Sequence, residues 1–410
     1  MDNVILNNKK NIIKKPELLA PAGDLEKLKW AIMYGADAVY CGGVMFGLRA
    51  NAANFTMEDL EEGVNFAHQR GKRVFVTVNI ILHSQELNDL IDYLKELDRI
   101  KVDAIIVSDP TVIKLAKEHT NLEIHLSTQQ STLNYEACQF WKSQGVTRIV
   151  MGREASKEEI KENVLKGGLQ IECFIHGAMC AGYSGRCVLS NYLTARDANR
   201  GGCAQICRWN FDLLNEDIKI EGDKEFTFCT KDLSLLKYIP NMIEDGIVSF
   251  KIEGRMRSIY YIATVVNIYR KVIDEYCNNP SAYEYNEYYE LVLNRVANRD
   301  SQPQFYNNVN DETCGYYNGR EEVSNQDFLG VIKDYDKKTK LITVEQRNLF
   351  KIGDIVEIFG PEKDTVSLKI EKIWDENNES IEVVNHPKQI VKIYSETEVF
   401  ENDLMRIKLS

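Results

Sequence analysis

Five of the ten cysteines, Cys173, Cys180, Cys187, Cys203 and Cys207, fall within 35 residues of one another. The last four read C-x6-C-x15-C-x3-C. Thiolates are soft ligands, and four together select zinc or an iron–sulfur cluster. Structural zinc sites ordinarily use two closely spaced cysteine pairs. Only Cys203 and Cys207 stand that close, so the longer gaps suit a cluster held from a loop better than zinc. Cys229 is an alternative fourth ligand, if the chain returns it to the same place. Cys173 falls inside an apolar run and reads as a small packed hydrophobe. Cys41, Cys138, Cys277 and Cys314 are isolated in sequence and read as inert buried thiols.

A second set of reactive side chains stands just past short apolar runs. Arg49, Arg153 and Arg255 are three guanidinium groups, which grip carboxylates or phosphates bidentately. Facing one cavity, they suit a ligand with more than one anionic group. Glu154, Glu253 and His176 are candidate acid–base residues, although a lone histidine at a strand end is more often a hydrogen-bonded structural residue than a base. The plain alternative for the whole set is an ion-pair network that closes the fold. Neither a P-loop nor a G-x-G-x-x-G follows the first strand, so a nucleoside triphosphate or a nicotinamide is not indicated. H-E-x-x-H and G-x-S-x-G are missing too, which disfavours metalloprotease and serine hydrolase chemistry. A thiolate–imidazole pair from Cys180 and His176 keeps a cysteine protease in play.

Around the cysteines the charge is basic. Between His176 and Trp209 stand Arg186, Arg196, Arg200 and Arg208 against the single acid Asp197, with Tyr183, Tyr192 and Trp209 interleaved. Such a loop suits phosphates and stacked bases. It equally suits a solvated loop paired with an otherwise acidic protein of net charge −12. That acidity argues against a uniformly basic nucleic-acid coat.

The elements that must position these groups follow from hydrophobic pattern. Eight apolar, β-branched runs are expected as strands: 17–20, 38–41, 73–78, 104–107, 123–126, 148–151, 169–175 and 248–252. Most are followed by amphipathic stretches of helical period, such as DLEKLKWAIMYG and QELNDLIDYLKELDRI. Continuous hydrophobic strands suit a parallel sheet covered on both faces. Eight βα units in this length predict a (β/α)8 TIM-like barrel, whose chemistry sits at the C-terminal strand ends. A cysteine-rich insertion, 177–245, interrupts it between the seventh and eighth strands. The expected organisation is an N-terminal extension, 1–14, the barrel, 15–277, a helix and linker, 278–326, and a small all-β barrel, 327–410. The 44% hydrophobic content supports large cores. With neither an apolar span nor a secretory leader pattern, the expected compartment is the cytoplasm, where thiols stay reduced.

The stretch ECFIHGAMCAGYSGRCVLSNYL (172–193) resembles the signature of the collagenase-like peptidases of unknown catalytic type, peptidase family thirty-two. ELLAPAGDLEKLKWAIMYGADAVYCGG, FGLRANAANF, STQQSTLN, RDANRGGCAQICRW and FKIEGRMRS are similar to further family blocks, so the resemblance covers about 15–275. The trailing β-region resembles the C-terminal domain of the longer members. Those longer members are similar to proteins of prephenate-dependent tRNA hydroxylation. The resemblance thus implies formation of 5-hydroxyuridine at the wobble position, with a [4Fe–4S] cluster, prephenate as co-substrate, and tRNA and a shorter paralogous subunit as partners. It places Cys180, Cys187 and Cys203 at ligand positions, with Cys207 fourth through the CAQICRW block. Arg49, Arg153 and Arg255 would then hold the prephenate carboxylates. The alternatives are a collagenase-like peptidase and a non-catalytic RNA-binding or assembly subunit with a structural metal centre.

Overall fold

Eight parallel strands close on themselves in the computed structural model, which describes residues 14–48, 54–211, 226–297, 299–316, 325–361 and 364–409. They are β1 (Glu17–Pro21), β2 (Ala38–Gly42), β3 (Arg73–Val78), β4 (Ala104–Val107), β5 (Glu123–Leu126), β6 (Arg148–Val150), β7 (Gln170–Gly177) and, after the short β8 (Asp232–Ser234), β9 (Ser249–Ile252). Each pairs in parallel with the next, and β9 joins β7 to β1. The strands are buried almost throughout, which is why they are continuously apolar instead of alternating.

The helices between them are started by local capping. Asp24 caps α1 (Leu25–Met33), accepting from Lys27 N at 2.9 Å. Thr56 and Asp59 form a capping box on α2 (Met57–His68), and Ser156 and Glu159 another on α6 (Lys157–Lys166). Between these lie α3 (Leu87–Arg99), α4 (Pro110–His119) and α5 (Tyr135–Ser143). Further on, α7 (Leu189–Thr194) and α8 (Ile239–Glu244) flank β8. The barrel's last helix, α9 (Ile259–Asn278), is buried on most of its circumference, because the barrel and the C-terminal domain cover it from different sides.

The segment after α9 is more integrated than a linker. It forms α10 (Glu287–Ala297) and β10 (Ser301–Gln302), which extends the barrel sheet by pairing with β8. Beyond residue 325, eight antiparallel strands curl into a half-barrel around Ile332, Ile342, Val344, Phe350, Ile358 and Ile393. It docks on α1 and α9. Tyr34 Oη donates to Asn402 O at 2.7 Å, Asn267 Nδ2 to Gly360 O at 3.1 Å, and Tyr260 stacks on Phe328 at 4.7 Å. No helix among the described residues is long and apolar enough to cross a membrane.

Candidate functional site

At the C-terminal strand ends, polar groups hold one another in an ordered ring. Asn79 accepts from Leu48 N at 3.2 Å and donates to Ser127 Oγ at 3.4 Å. Ser108 Oγ donates to Asn79 O at 2.9 Å, and Gln130 Nε2 donates to Ser108 O. Arg255, which is buried, donates to Leu48 O and to Asn54 Oδ1, each at 3.0 Å. Its guanidinium lies so close over β2 that a Cβ on Gly42 would come within 2.2 Å of Nη2. Arg255 therefore braces the chain beyond β2 at Leu48 and Asn54, a structural role of the kind raised as the plain alternative for the set. Arg49 lies in that loop, outside the described residues.

Arg153 is differently placed. Its guanidinium lies 3.9 Å from the centroid of the Phe174 ring and, among the described residues, makes no ion pair. Lys251 Nζ approaches the same ring at 5.5 Å and the Tyr40 ring at 4.4 Å. Phe174 and Lys251 are register partners on β7 and β9, so the closure of the barrel brings two cations to one aromatic ring.

Below this lies a buried ion network. Glu172 accepts from Lys251 Nζ at 2.8 Å and Arg148 Nη1 at 3.1 Å. Arg148 also reaches Glu17 at 2.6 Å, and Arg73 bridges Glu17 and Glu123. His125 Nε2 lies 3.0 Å from Glu123 Oε1. Burial alone would raise the Glu172 carboxyl, but Lys251 and Arg148 outweigh it and hold it at about 2. The His125 contact, against the opposing effect of burial and with help from Arg73, holds Glu123 at about 2. The sequence signal for this network was present: a glutamate and a lysine each sit inside an otherwise apolar strand, QIECFIH and SFKI.

The cysteine-rich insertion is latched onto the mouth by residues beyond β5 and β6. Glu154 accepts from Ser184 N at 3.2 Å and Ser184 Oγ at 3.0 Å. Ser131 Oγ donates to Ser184 O at 2.6 Å. Gly185, at φ +69°, packs so tightly that a Cβ would fall 2.1 Å from Gln129 O. Glu154 thus serves as a latch for the loop carrying Cys180 and Cys187. On the opposite side, Arg200 pairs with Glu86 at 2.5 Å. Segment 227–231 closes the insertion: Thr227 Oγ1 donates to Cys207 O at 3.2 Å, Thr230 Oγ1 to Met179 O at 3.2 Å, and Tyr316 N to Cys229 O at 2.7 Å.

These contacts gather the thiols on one side of the barrel. All ten cysteines are free; Cys180 and Cys203 are exposed, Cys187 and Cys207 half-buried, and Cys229 buried. Burial pushes the Cys207 thiol up; Arg208 pulls it down, and Cys180, Cys203 and Cys229 are near enough to add to the rise. Exposed free thiols are unusual, because unligated cysteine is among the most buried residue types. Among the described residues no three His, Cys, Asp or Glu side chains converge on one point as a single metal ion needs. The donors themselves are soft thiolates alone, the type that an iron–sulfur cluster takes.

The three acid–base candidates part company. The expected end of the seventh strand at residue 175 put His176 in the mouth. Instead β7 runs on to Gly177 with a bulge between Phe174 and His176, which turns the imidazole outward. His176 packs against Tyr261 and Tyr269 of α9, with Nδ1 3.3 Å from Tyr269 Oη and Nε2 unpartnered. Burial, aided by Arg257, pushes it down to about 3, so it stays neutral. Its bond to Tyr269 leaves it engaged away from Cys180, and no thiolate–imidazole pair forms among the described residues. Glu253 is buried against Gly177 beside the same strand end.

Two profiles match this chain: peptidase family U32 over residues 23–314, and the peptidase family U32 C-terminal domain over 324–406. The chain is 48% identical over 415 residues to tRNA hydroxylation protein P1 of Bacillus subtilis, covering 98% of this chain and 97% of that protein. It is 38% identical to the 23S rRNA 5-hydroxycytidine C2501 synthase of Escherichia coli, covering 63% of this chain and 39% of that protein. It is also 31% identical to a collagenase of Porphyromonas gingivalis, covering 87% of this chain and 89% of that protein. With the two profiles spanning barrel and half-barrel, and tRNA hydroxylation protein P1 matched along nearly its full length, the chain belongs to peptidase family U32.

Proposed function

We propose that this protein hydroxylates RNA, converting the wobble uridine of tRNA to 5-hydroxyuridine in a prephenate-dependent reaction. The observation that carries the reading is the latching of a loop of free, partly exposed cysteines over a barrel mouth that holds an arginine without an ion pair. The near full-length likeness to a tRNA hydroxylation protein supports it. Cys180, Cys187 and Cys203, with Cys207 or Cys229, are the residues that would hold a [4Fe–4S] cluster. When bound, such a group supplies one-electron chemistry or an open iron site for substrate activation.

The chain's own residues do the rest. Arg153 binds a carboxylate of the dicarboxylate co-substrate, oriented by its stacking on Phe174. Lys251, fixed by Glu172, adds positive potential at the same ring. Arg255 and Asn79 keep the loop after β2 in place, and Glu154 keeps the cysteine loop seated. The peptidase reading suggested by the collagenase relative lacks a nucleophile–base pair among the described residues, since His176 faces α9.

Protein purified without air should contain iron and acid-labile sulfide, and Cys180→Ser should lose most of both. In a strain lacking the gene, the wild-type copy should restore 5-hydroxyuridine in total tRNA, whereas Cys180→Ser and Arg153→Ala should not. Full modification with both variants overturns the reading. Iron content resolves the fourth ligand, because only one of Cys207→Ser and Cys229→Ser should lower it.

A further inference from the structure

We infer that the outer face of the cysteine-rich insertion is a stacking platform for unpaired RNA nucleotides, a surface that rests on the RNA-modifying reading and says where the substrate lies. Within 27 residues, from Tyr183 to Trp209, three large aromatic side chains face solvent. Tyr192 is 86% exposed, Tyr183 62% and Trp209 48%. Aromatic side chains ordinarily bury most of their area, so three left out together on one insertion mark a binding surface.

The platform is ordered by its own polar contacts. Tyr183 adjoins Ser184, which is fixed by Glu154 and Ser131. Tyr192 lies on α7, whose buried Ser190 accepts from Ala204 N at 3.0 Å and, through its carbonyl, from Arg196 N at 3.2 Å. Asn199 Nδ2 ties the following turn to Cys187 O at 3.4 Å. Tyr183 and Tyr192 are therefore presented by a folded loop, and stacking on them carries little ordering cost.

Charge selects the occupant. Arg186 and Arg196 are exposed and, among the described residues, make no ion pair. Arg200 by contrast is consumed by Glu86. Two unneutralised guanidiniums on the same insertion as the exposed rings, on a chain of net charge −12, fit a polyanion with exposed π faces. Duplex RNA hides its bases in the stack, whereas a loop offers them, so the platform prefers single-stranded nucleotides.

The test is fluorescence anisotropy with the full chain, a labelled RNA hairpin with a seven-nucleotide loop, and a blunt RNA duplex as control. The hairpin should bind more tightly than the duplex. Tyr192→Ala and Trp209→Ala should each weaken hairpin binding by roughly five- to a hundredfold without changing iron content or melting temperature. Arg196→Ala should lower the slope of log K against log salt by about 0.7. Equal affinity for hairpin and duplex, or unchanged hairpin affinity in the aromatic variants, overturns the platform. So does a change in oligomeric mass on Tyr192→Ala with RNA affinity intact, which would make the face a protein interface. Retained hairpin binding in a protein that does not restore 5-hydroxyuridine would sink the hydroxylation reading and leave the platform standing.

Discussion

Two residues show how closely the mouth is built. Gly185 meets the Gln129 carbonyl at a backbone angle that only glycine adopts without strain. Gly185→Ala should therefore cost about 1–3 kcal/mol and unseat the cysteine loop. Limited proteolysis should then cut between residues 180 and 211 faster, while the barrel's resistance is unchanged. Glu154→Ala removes both bonds to Ser184 and should raise cleavage in the same stretch. If Glu154 instead acted only on substrate, cleavage would stay at the wild-type rate and modification alone would fall. At this scale the sequence showed which residue types gather near strand ends, yet not which were occupied. Arg153 and Arg255 look alike in sequence; one lies on Phe174 without an ion pair, and the other is bound into the loop after β2.

At the scale of elements, the barrel strands carry a charge network that sets how the sheet responds to acid. Glu123 and Glu172 are held near 2, below the usual carboxylate range of about 4.3, so the folded state binds fewer protons than the unfolded one. Their stabilisation is complete above that range and is lost as pH falls toward 2. Urea midpoints measured from pH 6 down to pH 2.5 should drop steeply below about 4. Lys251→Met leaves Glu172 with Arg148 alone. It should cost about 3 kcal/mol at neutral pH and move the acid loss to higher pH. A variant with an unchanged acid profile would show that Lys251 does not hold Glu172 ionised. The strands and helices themselves were legible, because burial on both faces imposes continuous apolar runs and 3.6-residue periodicity imposes the helices. What pattern missed were the two-residue extension of β7 and the short β8 and β10, since a strand's end, and a pairing only two or three residues long, are decided by the neighbour's register.

For the whole molecule, α9 is the shared wall between barrel and half-barrel, and α1 supplies a second contact. Tyr34→Phe deletes the bond to Asn402 O and should lower stability by about 1 kcal/mol. Because Val331, Phe359 and Leu404 belong to the barrel's own core cluster, the two parts should unfold in one transition. Two separate calorimetric peaks would refute that coupling.

Local pattern alone determined that this chain forms eight βα units, a sulfur-rich insertion and a terminal β-domain, because those features are written in periods of two and 3.6 residues and in composition. Only tertiary closure decided which polar residues meet. β9 joins β7 to β1 and so brings Lys251, 79 positions from Glu172, to it. Segment 227–231, beyond the loop it closes, lays Cys229 beside Cys207. Such contacts depend on the path of the chain through space, and no spacing along the sequence encodes them.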